Sequence, residues 1–265
     1  MKKCPRCGNM KLYKARRGKL KCSSCKYEWR PGSLPLQLER SQWREILKMF
    51  LYGLSSNKIA EMTGIGINRI QRALTYARQA MLTDIPDKFS GTVEVDETYL
   101  GGQWKNKRQD VRVEGTKRGK GTSKQPVFGI LCREGQVWAE IVPDTKAETL
   151  MPIILGKVES GSTVCSDMWT AYTGVASKGF VHRLVDHGKR EFSDNRGGHI
   201  NGLEGFWGYL KRQLASKGGV RRERLHLFLA EYVWKYNHRK ESTLYQVRQL
   251  LKMSVIRDIV ADIGG

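Results

Sequence analysis

Apolar and polar positions alternate along the chain with two different periods, one after the other. Over residues 41–51 the apolar side chains Trp43, Ile46, Leu47, Phe50 and Leu51 recur at helical spacing, and Gly53 stops the pattern. Ser55 or Ser56 then offers an N-cap for a short helix through Met62, Thr63-Gly64 makes a turn, and a longer basic helix runs from Ile67 to Met81. Asp84-Ile85-Pro86-Asp87 ends this helical region.

From Gly91 the period changes to two. Val93, Val95 and Thr98 alternate with Glu94, Asp96 and Glu97 before Gly101-Gly102, which predicts a strand. A Lys- and Gly-rich connection over 105–124 leads to two further strands at 126–131 and 137–142. Thr145-Lys146-Ala147-Glu148 fits a capping box opening a helix through Leu150, Ile153 and Ile154. A fourth strand over 162–166 delivers Asp167, 169–172 reads as a short helix and 181–185 as a short strand. A helix over 200–215 carries apolar residues at 203, 206, 207, 210 and 214, and a further amphipathic helix from Leu225 to Tyr236 buttresses the core. The order is three strands, helix, strand, helix, strand, helix.

Charge narrows the function. The 265 residues hold 47 Lys plus Arg against 26 Asp plus Glu, a net charge of +21, so the partner is a polyanion. A mean hydropathy of -0.50 and the lack of a long uncharged run exclude a membrane-spanning helix, which leaves nucleic acid. Met1-Lys2-Lys3-Cys4 has no apolar secretory stretch, so a cytoplasmic, nucleoid-associated location is expected. Two short helices, a glycine turn and a longer basic helix read as a helix-turn-helix, with Asn68, Arg69, Gln71 and Arg72 near the start of the recognition helix. The same spacing also fits a helical spacer packed on its neighbours. Phosphate contacts are expected from basic clusters such as Arg16-Arg17, 105–108, 117–120, Lys189-Arg190 and Arg221-Arg222. Lys211 and Arg212 are further candidates.

In a reducing compartment the six cysteines are not a disulfide framework. Cys4-Pro5-Arg6-Cys7 and Cys22-Ser23-Ser24-Cys25 are two C-x2-C knuckles flanking a short hairpin, the pattern of a zinc ribbon over 1–32. Each tight loop brings two thiolates to one tetrahedral ion at about 2.3 Å. Gly8 and Lys26 follow the knuckles, and Tyr27 and Trp29 can cover the site. So small a ribbon has little core without its zinc, so metal binding is folding.

A carboxylate in the first strand of the second region and one at the end of its fourth lie side by side if those strands are neighbours. Asp96 and Asp167 meet that condition, and Glu204, in the first turn of the following helix, can close the site from the other side. Three converging acids suit magnesium or manganese. Two such ions about 3.5 to 4 Å apart support in-line phosphoryl displacement. Any one of these acids alone reads as a surface carboxylate.

Three motifs carry a resemblance: Val95-Asp96-Glu97-Thr98-Tyr99-Leu100-Gly101-Gly102, Ser166-Asp167-Met168-Trp169-Thr170-Ala171-Tyr172 and His199-Ile200-Asn201-Gly202-Leu203-Glu204-Gly205-Phe206-Trp207. In these the chain resembles the DDE transposases of prokaryotic insertion sequences, in the ISXO-type group with an N-terminal zinc ribbon. The resemblance implies a multidomain protein: a ribbon, a helix-turn-helix segment over 36–85, an α/β ribonuclease-H-like catalytic core over 88–245 with a mixed five-stranded sheet flanked by helices, and a tail over 246–265. It implies Asp96, Asp167 and Glu204 as ligands of two Mg2+ or Mn2+ ions, and Lys211, two turns beyond Glu204, as a basic residue near the scissile DNA. Of Asn201 and Glu204, three residues apart on one helix turn, the acid is the expected ligand because a carboxylate neutralises a metal and an amide does not. Asn201 and His199 then orient DNA or a water beside the metal.

The implied activity is cleavage and strand transfer of double-stranded DNA, at terminal inverted repeats and target, by a homodimer or higher oligomer. Two other readings fit parts of the pattern: a ribbon and helix-turn-helix regulator with an inactive core, and a structure-specific nuclease.

Overall fold

The structure, a computed structural model, describes residues 4, 7–29, 35–101, 124–133, 135–167, 172, 174–185 and 201–253. The chain folds as two units, one made of Met1–Asp84 with His238–Gly265 and the other of Ile85–Asn237.

In the first unit, β1 (Leu12–Ala15), β2 (Lys19–Cys22) and β3 (Glu28–Trp29) form an antiparallel sheet in that order. Three helices follow: α1 (Arg40–Leu51), α2 (Ser56–Thr63) and α3 (Ile67–Leu82). α1 buries Trp43, Ile46, Leu47 and Phe50, the stripe its sequence predicts. Its start is closed by Gln42, whose side chain accepts from the Glu39 N–H at 2.9 Å. Ser55 caps α2 by accepting from the Lys58 N–H at 3.3 Å. Gly64 ends that helix at φ 66, a left-handed conformation in which a side chain would be strained. α3 buries Ile70, Ala73, Leu74, Ala77, Ala80 and Met81. Its small alanines allow close approach of the neighbouring helices.

The second unit contains β4 (Thr92–Leu100), β5 (Gln125–Cys132), β6 (Val137–Ile141), α4 (Ala147–Lys157), β7 (Thr163–Asp167), β8 (Val181–Val185), α5 (Asn201–Ala215) and α6 (Leu225–Asn237). Its strands form one mixed sheet in the order β6-β5-β4-β7-β8, antiparallel on the β6 side and parallel from β4 to β8. β4, the first strand, is thus central. Val93, Val95, Phe128, Ile130 and Val164 pack with Leu150 and Ile154 of α4 in one core. Leu100, Val127 and Leu131 pack with Leu203, Phe206, Trp207 and Leu210 of α5 and with Leu229 and Val233 of α6 in another. The period of two in β4 therefore separates Val93 and Val95 from Glu94 and Asp96, which face α5 together with Leu100.

α7 (Thr243–Lys252) returns to the first unit. Ser242 caps it, Val247 and Leu250 are buried on it, and it packs against α1 and α3. The sequence reading assigned this stretch to the end of the core and a tail. Among the described residues no helix is long and apolar enough to cross a membrane.

One local expectation is corrected. The helix at 147 is not opened by a capping box on Thr145: its N-cap is Lys146, and Asp144 supplies the acceptor, taking the Lys146 N–H at 3.0 Å and the Thr149 hydroxyl at 2.7 Å. Thr145 is instead buried, its hydroxyl 3.4 Å from that of Tyr99. The predicted connection over 105–123 and most of the predicted helix at 169–172 lie outside the described residues.

Candidate metal centres and active site

The ligand sulfurs of Cys4, Cys7, Cys22 and Cys25 all lie within 4.8 Å of one another, with Cys4 3.5 Å from Cys25 and Cys7 3.5 Å from Cys22. The turns that hold them are built alike. Gly8 and Lys26, each next after a knuckle, are left-handed at φ 74 and 59. The Cys4 N–H donates to the Asn9 carbonyl at 2.8 Å, and the Cys22 N–H to the Tyr27 carbonyl at 2.9 Å. Trp29 is buried beside Cys4 and Cys22, and Tyr27 stacks on it at 5.9 Å between ring centres. Thiolates at about 2.3 Å from a tetrahedral ion are roughly 3.8 Å apart, so four sulfurs in this space can hold one zinc. Burial pushes the Cys22 thiol up. The N–H groups of Cys25 and Ser24 and the Cys7 and Cys4 thiols outweigh it and bring Cys22 down to about 6, which favours the thiolate a metal needs.

The acids come together through strand register. β4 and β7 run parallel with Val93 beside Val164 and Glu94 beside Cys165, the last pair of the ladder; the same register carried two residues further brings Asp96 level with Asp167, the last residue of β7, and each lies within reach of the other's charge. α5 lies over this end of β4, and Glu204 is in its first turn. Burial raises the Asp96 carboxyl to about 6. The charges of Asp167 and Glu204 add to the rise, and hydrogen bonds from the Glu97 N–H and the Trp207 indole oppose it. Asp167 and Glu204 are thus both within electrostatic reach of Asp96. Among the described residues, only the cysteines are packed into mutual ligand distance. The acids' donor set, carboxylate oxygens with like charges held near each other, nonetheless fits a hard divalent cation.

Lys211 lies along the same stripe of α5. Burial lowers its pKa and nearby Lys124 lowers it further, while Asp96 opposes both, which places this cation beside the acids. Arg212 is exposed. Asn201 starts α5 but its side chain, like all of His199, lies outside the described residues. Asn68, Arg69, Gln71 and Arg72 are exposed along the start of α3, and Arg16 and Arg17 at the turn between β1 and β2.

Four further residues shape the site. Glu94 is buried and accepts from the Leu203 N–H at 2.8 Å. Trp207 donates from its indole to Asp96 at 3.0 Å. Glu97 belongs to the opposite face of β4, where Tyr172, fully buried, donates to it at 2.6 Å. Burial raises Glu97 to about 7 and the charges of Asp96 and Asp167 add to it, against the tyrosine's hydrogen bond. Tyr172 itself is pushed well above its ordinary value, by burial first and then by the charge of Glu97. Acidity around Asp96 was visible in the sequence; these partners were not, because they depend on which side chains meet across the sheet.

The chain belongs to a class of enzymes that act on DNA, the transposases: residues 88–237, more than half of its length, match the ISXO2-like transposase domain family. It is also 32% identical over 122 residues to an uncharacterized transposase-like protein of Haemophilus influenzae, a match covering 46% of this chain and 98% of that one. The family match nearly coincides with the second unit, Ile85–Asn237.

Proposed function

We propose that the second unit is the ribonuclease-H-like core of a DDE transposase, which cuts double-stranded DNA at the terminal inverted repeats of an insertion sequence and joins the freed ends to target DNA. The observation that carries this reading is the parallel pairing of β4 with β7, whose register carried past its last pair brings Asp96 level with Asp167, with the helix of Glu204 packed over β4. The strand order, with the first strand central between an antiparallel and a parallel side, supports it.

In this reading Asp96, Asp167 and Glu204 hold two magnesium or manganese ions, which activate the attacking oxygen and stabilise the leaving one. The two aspartates present carboxylates from rigid strands, so the site is set before DNA arrives. In cleavage, a water oxygen bonds to phosphorus, its proton passes to solvent, and the bond to the 3'-oxygen breaks to leave a 3'-hydroxyl. In transfer, that hydroxyl attacks a target phosphodiester and the target's own 3'-oxygen departs. Lys211 and Arg212 offset phosphate charge along α5, and Asn201 orients DNA or water. The zinc ribbon with Arg16 and Arg17, and α2 and α3 as a helix-turn-helix with Asn68, Arg69, Gln71 and Arg72, bind the element ends. Pairing two ends requires a homodimer or larger assembly.

An Asp96→Ala variant is expected to keep its affinity for end DNA and lose all magnesium-dependent nicking in a gel assay. Wild-type protein that binds end DNA yet never cuts it with magnesium or manganese overturns the reading.

A further inference from the structure

Gly129 stands in the interior of β5, where glycine weakens a strand, and no left-handed conformation requires it there. Its register partner on β4 is Asp96. A β-carbon at 129 would lie 2.6 and 2.7 Å from two ring carbons of Trp207 and 3.2 Å from Leu203. The glycine thus makes a seat for the indole, which is 4% exposed and donates its N–H to Asp96 at 3.0 Å. Trp207 also follows Glu204 by one turn and precedes Lys211 by one, so all three share a stripe of α5.

A second contact of the same kind lies one turn back. The Leu203 N–H donates to the buried Glu94 carboxylate at 2.8 Å, and a β-carbon at Gly202 would come within 3.0 Å of that carboxylate. Positions 94 and 96 are successive residues on one face of β4, and 203 and 207 are one turn apart on α5. Two hydrogen bonds in this arrangement fix both the roll and the height of the helix over the strand, and with them the placing of Glu204.

We propose that Trp207 is a positioning residue for the acid site: its indole N–H, seated on Gly129, fixes the Asp96 carboxylate and ties it to the helix of Glu204, so that affinity for a divalent cation depends on it. This rests on the reading of Asp96 and Glu204 as metal ligands. A carboxylate held at one oxygen has already lost the rotation that a ligand otherwise loses on binding, which is how groups behind a metal ligand tune affinity.

The test measures Mn2+ binding to zinc-loaded, full-length protein by calorimetry. Trp207→Phe keeps an aromatic ring in the core, removes the donor and gives up the outer ring carbons that sit on Gly129. It is expected to weaken Mn2+ binding by about 10- to 100-fold, with end-DNA affinity unchanged. The Mn2+ concentration for half-maximal nicking should rise by the same factor, and saturating Mn2+ should restore most of the rate. Gly129→Ala keeps both polar groups but displaces the ring, and should weaken Mn2+ binding as well. Asp96→Asn serves as the control. If it loses Mn2+ binding while Trp207→Phe and Gly129→Ala keep wild-type affinity, the positioning role is refuted and the metal reading stands. If Asp96→Asn itself keeps wild-type affinity, the metal reading falls and the positioning role with it.

Discussion

A carboxylate that is buried among others resists ionising, and Asp96 and Glu97, raised to about 6 and about 7, both show it. For an acid whose folded value lies above its unfolded one, the folded state binds the proton more tightly. Stability is then greatest below about pH 4 and is lost as pH rises through 6 to 7. A divalent cation reverses that penalty by favouring the ionised forms. Manganese is accordingly expected to raise the melting temperature more at pH 7.5 than at pH 5, as measured by scanning calorimetry; a gain independent of pH contradicts this assignment. Residue type and spacing made Asp96, Asp167 and Glu204 legible in the sequence. Trp207 and Glu94 were read only as an apolar and an acidic position, since their roles arise from contacts between strand and helix that no local pattern encodes.

Among the elements, the ribbon is the one whose folding depends most on a ligand. Its core holds little beyond Trp29 and the buried Cys4 and Cys22, so four thiolates on one ion supply what apolar burial does not. Cys22→Ser, or a strong chelator, is expected to release about one zinc per chain and to reduce end-DNA affinity about tenfold or more, read by metal analysis and gel shift. Retained zinc, or unchanged affinity after its loss, contradicts the role given to the ribbon. Strands and helices were largely legible here: the spacing at 43, 46, 47 and 50 reappears as the buried face of α1. Two elements were not. α4 has Lys146 as its N-cap, and Asp144 rather than Thr145 supplies the acceptor at its start, Thr145 being buried beside Tyr99. α7 was passed over because its apolar face is narrow, Val247 and Leu250 alone being buried.

At the scale of the whole molecule, the first unit is made of two distant segments that end at Asp84 and begin again at His238. These two residues meet: His238 lies 3.3 Å from Asp84 on one ring nitrogen and 2.9 Å from Glu241 on the other. Burial alone would lower the histidine, but the hydrogen bonds its ring donates to both acids, and their charges, outweigh it and raise its pKa. A raised histidine contributes stability that is complete below its unfolded value near 6.5 and lost as pH climbs through the folded one. His238→Ala should therefore cost about 1 kcal/mol at pH 6 and progressively less by pH 9 in urea titrations, and a pH-independent cost speaks against the ion pair.

The family match covers the unit that carries Asp96, Asp167 and Glu204, and the net charge of +21 suits a chain that binds DNA. In the function proposed, these acids cut and rejoin DNA. The most direct measurement uses end duplexes taken from the DNA flanking the gene, a supercoiled target plasmid, magnesium, and wild-type protein beside Glu204→Gln. The wild type is expected to join end duplex to plasmid, with at least about 100-fold less product from Glu204→Gln. Hydrolysed ends without joined product, or equal joining by Glu204→Gln, contradicts it.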